Sequence, residues 1–195
     1  MRFLSVFTIA LLVTSAAEAH TGIGAASGLA HGFLHPVGGL DHILAMVGVG
    51  LLGFVIGGRA FWLVPAAFVV MMALGGVLGL AGAGLPFVEA GIALSVIVIG
   101  AALAFGSGVP LALAMALAGG FAVFHGHAHG AEMPLAASGL AYGFGFLAAT
   151  ALLHAAGAGA GYALGKLAGA AAPRATRLGG AMLSLFGLAI LTGVL

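Results

Sequence analysis

Histidine is the residue type most able to do chemistry in this sequence of 195 residues. The sequence contains eight histidines but only five Lys or Arg and four Asp or Glu. The histidines form two groups and one isolated position, namely His20, His31, His35 and His42; His125, His127 and His129; and His154. The sequence has no cysteine, which excludes disulfides, iron–sulfur clusters and thiolate zinc sites. Imidazole nitrogens and carboxylate oxygens without sulfur suit a borderline divalent metal such as nickel, cobalt or zinc.

The first group contains the pattern His-Pro-Val-Gly-Gly-Leu-Asp-His, from His35 to His42. Pro36 is expected at the first helical position, with His35 as the cap. On an unbroken helix, His35 and His42 would share a face but stand about 10 Å apart along the axis, too far to hold one ion together. Either the Gly-Gly pair breaks the helix, or the two histidines belong to different steps of a path. Asp41 and His42 could instead lock two helices together, although an ionisable residue inside a membrane span is functional by default.

The second group reads Phe-His-Gly-His-Ala-His-Gly-Ala-Glu over residues 124–132. His125 and His129 are four residues apart and Glu132 follows three later, so all three share one helical face and are near enough to bind the same ion. His127 points to another side, toward a second partner or solvent. The alternative for this segment is a pH-sensing or merely solvated loop.

The composition excludes an ordinary soluble domain, because 63% of the residues are apolar and only 5% are charged, against about 25% charged residues in soluble domains. A formal charge of +1 argues against a nucleic-acid partner. We therefore predict an all-α integral membrane protein, a bundle of six transmembrane helices in a lipid bilayer. The predicted spans cover about residues 37–57, 60–80, 87–105, 111–129, 135–157 and 178–195, each near the roughly 20 residues that cross a bilayer.

Residues 1–19 have the pattern of a cleaved N-terminal signal peptide. Arg2 supplies a positive start, residues 3–13 are apolar but too short to cross a bilayer, and Ala17-Glu18-Ala19 fits an A-x-A cleavage site. Cleavage would leave one transmembrane domain, residues 20–195, with His20 at its outer N-terminus. A retained signal anchor is the alternative.

Charge placement supports this topology. With the mature N-terminus outside, the basic residues of the mature chain all fall in cytoplasmic loops, as the positive-inside rule requires; they are Arg59, Lys166, Arg174 and Arg177. The predicted location is the cytoplasmic (inner) membrane of a bacterium, with both mature termini on the outer, periplasmic side. Both histidine groups then reach the outer half of the membrane, which argues for one shared site.

Three other residues are weaker candidates. His20 would offer its α-amine and imidazole as a bidentate chelate after cleavage, or would simply fray. Glu89 lies in the first turn of its span, where it either contributes to the site or complements the helix dipole. His154 lies toward the cytoplasmic end, where an interhelical hydrogen bond is preferred over a role as exit ligand.

The two motifs resemble those of the HupE/UreJ nickel permeases. H-x5-D-H in the first span and F-H-G-x-A-H-G-x-E in the fourth are both present in full, and the predicted signal peptide, span layout and length are similar too. The resemblance implies nickel uptake that serves hydrogenase or urease maturation. It also implies which residues transport needs, namely His35, Asp41, His42, His125, His129 and Glu132. His127 occupies the motif's variable position, so no role is carried over to it.

The sequence predicts a secondary transporter and no enzyme. Gly165-Lys166 lacks the earlier glycine and the following Ser or Thr of a P-loop, and no ATPase subunit is evident. Ni²⁺ is then a substrate and no prosthetic group is expected; Co²⁺ or Zn²⁺ also suits the ligands. The competing hypotheses are an intramembrane metal-dependent enzyme, whose metal activates water, and a metal sensor or storage protein. The sequence leaves open whether the chain acts as a homo-oligomer.

Overall fold

The computed structural model describes residues 25–133 and 138–195. The predicted signal peptide, its cleavage site and His20 lie outside the described residues, and so do residues 134–137. Those predictions, and the domain boundary at residue 20, stay predictions.

The described residues form α-helices joined by short turns, with no β-strand among them. The helices are α1 (Ala25–Gly38), α2 (Leu40–Ile56), α3 (Ala60–Leu80), α4 (Val88–Phe105), α5 (Leu111–Ala131), α6 (Gly139–Ala168) and α7 (Ala172–Leu191). Short 3-10 turns follow α4 at Gly106–Gly108 and α6 at Gly169–Ala171. The predicted all-helical class is confirmed for this part of the chain.

Several helices are long and apolar enough to cross a membrane. By length and composition, the described part has four such stretches, at Ala60–Leu80, Val88–Gly108, Leu111–Ala131 and Gly139–Leu191, and up to five if the bent pair α1–α2 is one span. Large apolar side chains, among them Trp62, Phe105 and Phe144, are exposed on the outside of the bundle, as contact with lipid requires. The chain is therefore a multi-pass helical membrane protein, whereas the count of six spans stays a prediction.

The stretch Gly139–Leu191 has 53 residues and contains two helices that run in opposite directions. Gly145 of α6 packs against Leu29, and Gly161 further along packs against Phe54 at the end of α2. In α7, Gly180 contacts Ala104 and Gly187 contacts Ile97, so α7 runs antiparallel to α4. The chain reverses at Gly169, whose φ of 50° lies in the left-handed region that glycine adopts without strain.

Glycines set the close approach of α3 and α5. Gly126 lies directly against the backbone of Met72, and Gly130 against the backbone of Gly76. From the other helix, Gly75 contacts the backbone of Val123. Small residues of this kind let helix backbones approach closely in a membrane, where van der Waals packing and interhelical hydrogen bonds replace the hydrophobic effect. This pairing fixes the position of the histidine-rich end of α5.

Helices α3, α4 and α5 begin and end within two residues of the predicted spans at 60–80, 87–105 and 111–129, whereas the other helix boundaries differ from those predicted. Residues 25–36, which precede the predicted first span, belong to a helix, α1, and Pro36 lies in its last turn rather than at the start of a span. Helix α6 continues to Ala168, eleven residues beyond the predicted end at 157, because its glycines face α2 instead of ending the helix. Helix α7 begins at Ala172, with a proline in its first turn, rather than at 178.

The break between α1 and α2 falls at Gly39, where the two helix axes are bent by 85°. Gly39 has an extended backbone (φ −103°, ψ 124°) and serves as the N-cap of α2. Of the two sequence alternatives, the structure therefore shows the broken helix. His35 is consequently in the last turn of α1 and not the cap of a span.

A matched pair of glycine variants tests the α3–α5 contact. Gly126→Ala would place a methyl group against the Met72 carbonyl, and overpacking of this kind costs about 1–3 kcal/mol of stability. Gly120→Ala, on the same helix with nothing within 4 Å of the added carbon, should be neutral or stabilising because alanine favours helices. Thermal unfolding in mild detergent should rank Gly126→Ala below wild type and Gly120→Ala; equal melting temperatures would refute the packing.

Candidate metal site

Histidines from three helices meet at one end of the bundle. The ring of His129 on α5 lies 4.5 Å, centroid to centroid, from the rings of both His35 on α1 and His42 on α2. The His42 ring also lies 4.7 Å from that of His125. The bend at Gly39 makes this possible, because it lets residues seven apart in sequence approach the same ring from different directions. The cluster formed by His35, His42, His125 and His129 is called the histidine cluster below.

Asp41 orients the ring of His42. Its Oδ1 accepts hydrogen bonds from the His42 backbone nitrogen and from the ring Nδ1, each at 2.7 Å. A carboxylate that holds Nδ1–H leaves the lone pair on Nε2, which is the usual arrangement behind a metal-binding histidine. The His42 Nε2 is buried and meets no hydrogen-bond partner among the described residues. Asp41 therefore supports a free ligand atom on His42.

Ser95 on α4 orients the ring of His125 by a hydrogen bond to one of its nitrogens. The Ser95 hydroxyl donates to the carbonyl of Ile92 at 2.6 Å, so its oxygen accepts the hydrogen of His125 Nε2 at 2.8 Å. This arrangement leaves the lone pair of His125 on Nδ1, which is buried and, within the described ranges, lacks a hydrogen-bond partner. Ser95 was not among the predicted site residues. A lone serine in the apolar span of α4 was the available signal.

His129 lies at the centre of the cluster and is only 2% exposed. Neither of its ring nitrogens has a hydrogen-bond partner in the described part of the chain. Its ring packs 4.1 Å from the ring of Phe146 on α6. On the solvent side, His35 Nε2 lies 3.1 Å from Glu132 Oε2, which ties α1 to the end of α5.

Buried imidazole nitrogens without partners are costly, because desolvation of a polar group is normally offset by a hydrogen bond. Three adjacent residues of the histidine cluster leave such atoms free, namely His42, His125 and His129. As the side chains stand, no three His, Asp or Glu residues of the described ranges are arranged to hold a metal ion together. The arrangement thus supplies oriented donors in contact, and a shared ion would require the rings to rotate.

A cavity of about 330 Å³ leads into the cluster from the end of the bundle. Its lining includes His35, Asp41, His42, Glu89 and Glu132. Glu89 and Glu132 are exposed, so carboxylates surround the approach to the buried rings. A mouth of one charge sign concentrates ions of the opposite sign, in this case cations. Glu89, an uncertain candidate on sequence grounds, thus lies at the same cavity as both motifs.

The other histidines of the described residues lie apart from the cluster. His127 turns away, and its Nε2 lies 2.6 Å from the carbonyl of Ala83. His31 is exposed on α1. His154 is buried in the middle of α6.

The basic side chains of the described residues occupy the opposite end of the bundle. Arg59 is the N-cap of α3, Lys166 is in the last turn of α6, and Arg177 lies beside Gly106 at the end of α4. The acidic residues Asp41, Glu89 and Glu132 are all at the cavity. The molecule therefore has an acidic, histidine-bearing end and a basic end.

The fold and this site define a multi-pass membrane protein with a cluster of imidazoles beneath a cavity mouth that is lined by carboxylates. The family model described as HupE / UreJ protein matches residues 8–190. Protein HupE of Rhizobium leguminosarum bv. viciae is 46% identical over 185 residues, which cover 94% of each chain. The chain belongs to the HupE/UreJ family, as its motifs led us to expect. No solved structure matches it.

A second glycine pair tests the geometry of the site. A Cβ at Gly39 would come within 2.7 Å of Asp41 Oδ1 and 2.9 Å of His42 Nδ1, whereas one at Gly38 would meet nothing within 4 Å. We expect Gly39→Ala to displace the Asp41–His42 pair and to weaken nickel binding about tenfold. This figure is the lower end of the loss in metal affinity that follows when a residue supporting a metal ligand is removed. Calorimetric titration of purified protein measures this. Gly38→Ala should bind as wild type, and an equal loss in both variants would contradict the steric argument.

Proposed function

We propose that this protein is a permease that takes up divalent nickel across the cytoplasmic membrane through the histidine cluster. The observation that carries the proposal is the contact of His42, His125 and His129, each with an unpartnered buried nitrogen among the described residues, beneath an acidic mouth. The HupE/UreJ family is linked to nickel or cobalt transport, which agrees with this donor set. Supply of nickel for hydrogenase or urease maturation is the corresponding role.

Six crossings are the topology that we propose. The bent pair α1–α2 counts as one span, α3, α4 and α5 count as one each, and the 53-residue stretch crosses twice because α6 and α7 run in opposite directions. With the basic end in the cytoplasm, as the positive-inside rule requires, the acidic cavity faces outward. An N-terminal signal peptide and an outer C-terminus fit this orientation.

The proposed path begins at Glu89 and Glu132, whose carboxylates attract the hydrated ion to the cavity. The ion exchanges water for His35 and then for His42, His125 and His129, of which the His42 ring contacts both of the others. Nitrogen and oxygen donors without sulfur suit nickel, and they also accept cobalt or zinc.

The membrane potential is sufficient to drive uptake. An interior-negative potential of 100 mV contributes roughly 2.3 kcal/mol per charge, hence about 4.6 kcal/mol for a divalent ion. At about 1.4 kcal/mol per decade, this corresponds to roughly a thousandfold accumulation. ATP and a coupled ion are therefore not needed energetically.

Flux of radiolabelled nickel into proteoliposomes tests the proposal. Wild-type protein should show uptake that rises with an inside-negative potential. His42→Ala should reduce this uptake at least about tenfold, because removal of a ligand should cost no less than removal of a group that supports a ligand. His31→Ala is the matched control, because His31 is an exposed histidine of α1 outside the cluster, and it should transport normally.

Two outcomes would contradict the transport function. One is the absence of potential-dependent flux from folded protein that retains nickel tightly and stoichiometrically, which would favour a sensor or metalloenzyme. The other is equal flux in wild type and His42→Ala, which would remove the histidine cluster from the path.

The pH of the outer solution should control the rate at a fixed potential. A protonated imidazole cannot coordinate a metal, and the ordinary pKa of histidine is about 6.5. Uptake should therefore be highest above neutral pH and fall as the outer solution is acidified, because protonation removes the lone pair that binds the ion. Initial rates between pH 5 and 8, with the potential clamped by a potassium gradient and valinomycin, measure this. Proton symport would give the opposite sign, with faster uptake at acidic outer pH.

A further inference from the structure

We propose that His127 is a positioning residue of the permease, which holds the α3–α4 loop (residues 81–87) and thereby sets Glu89 at the mouth of the cavity. The inference rests on the proposed transport function and deepens it at the entrance of the path. His127 lies within the second motif, but its side chain turns away from the histidine cluster and contacts Ala83 instead. An effect of His127 on the ion would therefore pass through the loop.

The side chain of His127 is hydrogen-bonded to the loop. It is 9% exposed, and its Nε2–H donates to the carbonyl of Ala83 at 2.6 Å. Because a carbonyl only accepts, the hydrogen of the neutral ring stands on Nε2 and the lone pair on Nδ1. That Nδ1 is buried and has no hydrogen-bond partner among the described residues. Packing alone does not account for so costly a side chain here, whereas the bond to Ala83 gives the imidazole a role.

Ala83 is held from two sides at the end of α3. Its own N–H donates at 3.0 Å to the carbonyl of Leu78, in the last turn of α3, and its carbonyl accepts from His127 on α5. The two residues that flank Ala83 are exposed glycines, which restrict the backbone least of all residues. The bond from His127 is therefore what attaches this part of the loop to the helix that carries the histidine cluster.

The loop ends in a strained residue. Only three residues separate Ala83 from Phe87, the N-cap of α4, whose backbone is left-handed (φ 58°, ψ 36°). This conformation costs about 1–3 kcal/mol in a residue other than glycine and persists only where the surroundings enforce it. The Phe87 side chain is 82% exposed, so its packing does not enforce the conformation. Attachments to α5 on either side do so, at His127 and where Gly91 packs against the ring of Phe124.

Glu89 lies in the first turn of α4, between these two attachments. It lines the cavity together with Asp41 and Glu132, where a carboxylate raises the local concentration of a divalent cation. The attraction depends on the position of the carboxylate, because salt screens it beyond about 8 Å at physiological ionic strength. Release of the loop would let the first turn of α4 fray and carry Glu89 away from the mouth. His127 therefore acts on capture of the ion and not on its coordination.

His127→Leu tests this role in proteoliposomes. Uptake at low nickel concentration should fall about tenfold, the lower end of the gain in ion arrival that a charged cleft provides, while the maximal rate at saturating nickel stays that of wild type. The deficit should shrink at an ionic strength of about 1 M, where the Debye length is about 3 Å. His127→Gln should recover capture, because its side-chain amide donates to a carbonyl. A lower maximal rate, a deficit insensitive to salt, or no recovery in His127→Gln would overturn the inference.

A double-mutant cycle with Glu89→Gln shows whether the two residues act together. Glu89→Gln alone should lose capture to a similar extent, and the addition of His127→Leu should lower it little further, because the effects of coupled residues are not additive. Additive losses would mean that His127 acts on something other than Glu89 and would overturn the inference. Absence of flux in wild type would instead refute the proposed function.

The absence of cysteine from the sequence allows the loop to be observed apart from transport. A nitroxide label on Leu85→Cys, within the loop, should become more mobile when His127→Leu is added. His127→Asn, whose side chain is too short for the bond to Ala83, should have the same effect and replaces His127→Leu if that variant does not fold. A label on Ser107→Cys, in the 3-10 turn after α4, should be unaffected. Unchanged mobility at Leu85 would overturn the inference.

Discussion

The helix break at Gly39 is the constraint on which the rest of the site depends. Without it, His35 and His42 would stand about 10 Å apart along one helix, and only one could meet His129. With it, the two helix axes bend by 85°, and both rings approach to 4.5 Å. The backbone of Gly39 is extended, a conformation that any residue can adopt. Glycine is required there because a Cβ atom would collide with Asp41 and His42.

The cluster also depends on how the helices around it are packed. Glycines bring α3 and α5 into backbone contact, which fixes His125 and His129 at the same depth as the start of α2. An oxygen of Asp41 accepts a hydrogen bond from His42, and the oxygen of Ser95 accepts one from His125. In each ring the other nitrogen has no hydrogen-bond partner among the described residues. The energy lost by burying these free nitrogens is offset by packing elsewhere. Such a local cost is common where a protein binds a ligand.

Much of this could be predicted from the sequence, for physical reasons. Apolar runs of about 20 residues are strong signals, so α3, α4 and α5 lie where they were expected. Spacing on one helix, as for His125, His129 and Glu132, follows from helical periodicity. The partners of these residues on other helices depend on tertiary packing. The contact of His35 with His129, the hydrogen bond between Ser95 and His125, and the lack of a described hydrogen-bond partner for His154 were therefore not predicted. Helix α1 was missed because its glycines, such as Gly32 and Gly28, resemble loop residues but pack against α6.

The central claim is that the two motifs hold one ion between them, and a double-mutant cycle of nickel affinity tests it most directly. Dissociation constants would be measured for wild type, His42→Ala, His129→Ala and the double variant in purified protein. If both rings bind the same ion, the losses are not additive, and the coupling free energy is about 0.5–3 kcal/mol. Losses that add to within about 0.5 kcal/mol would mean that the two histidines act on separate ions, which would contradict a shared site.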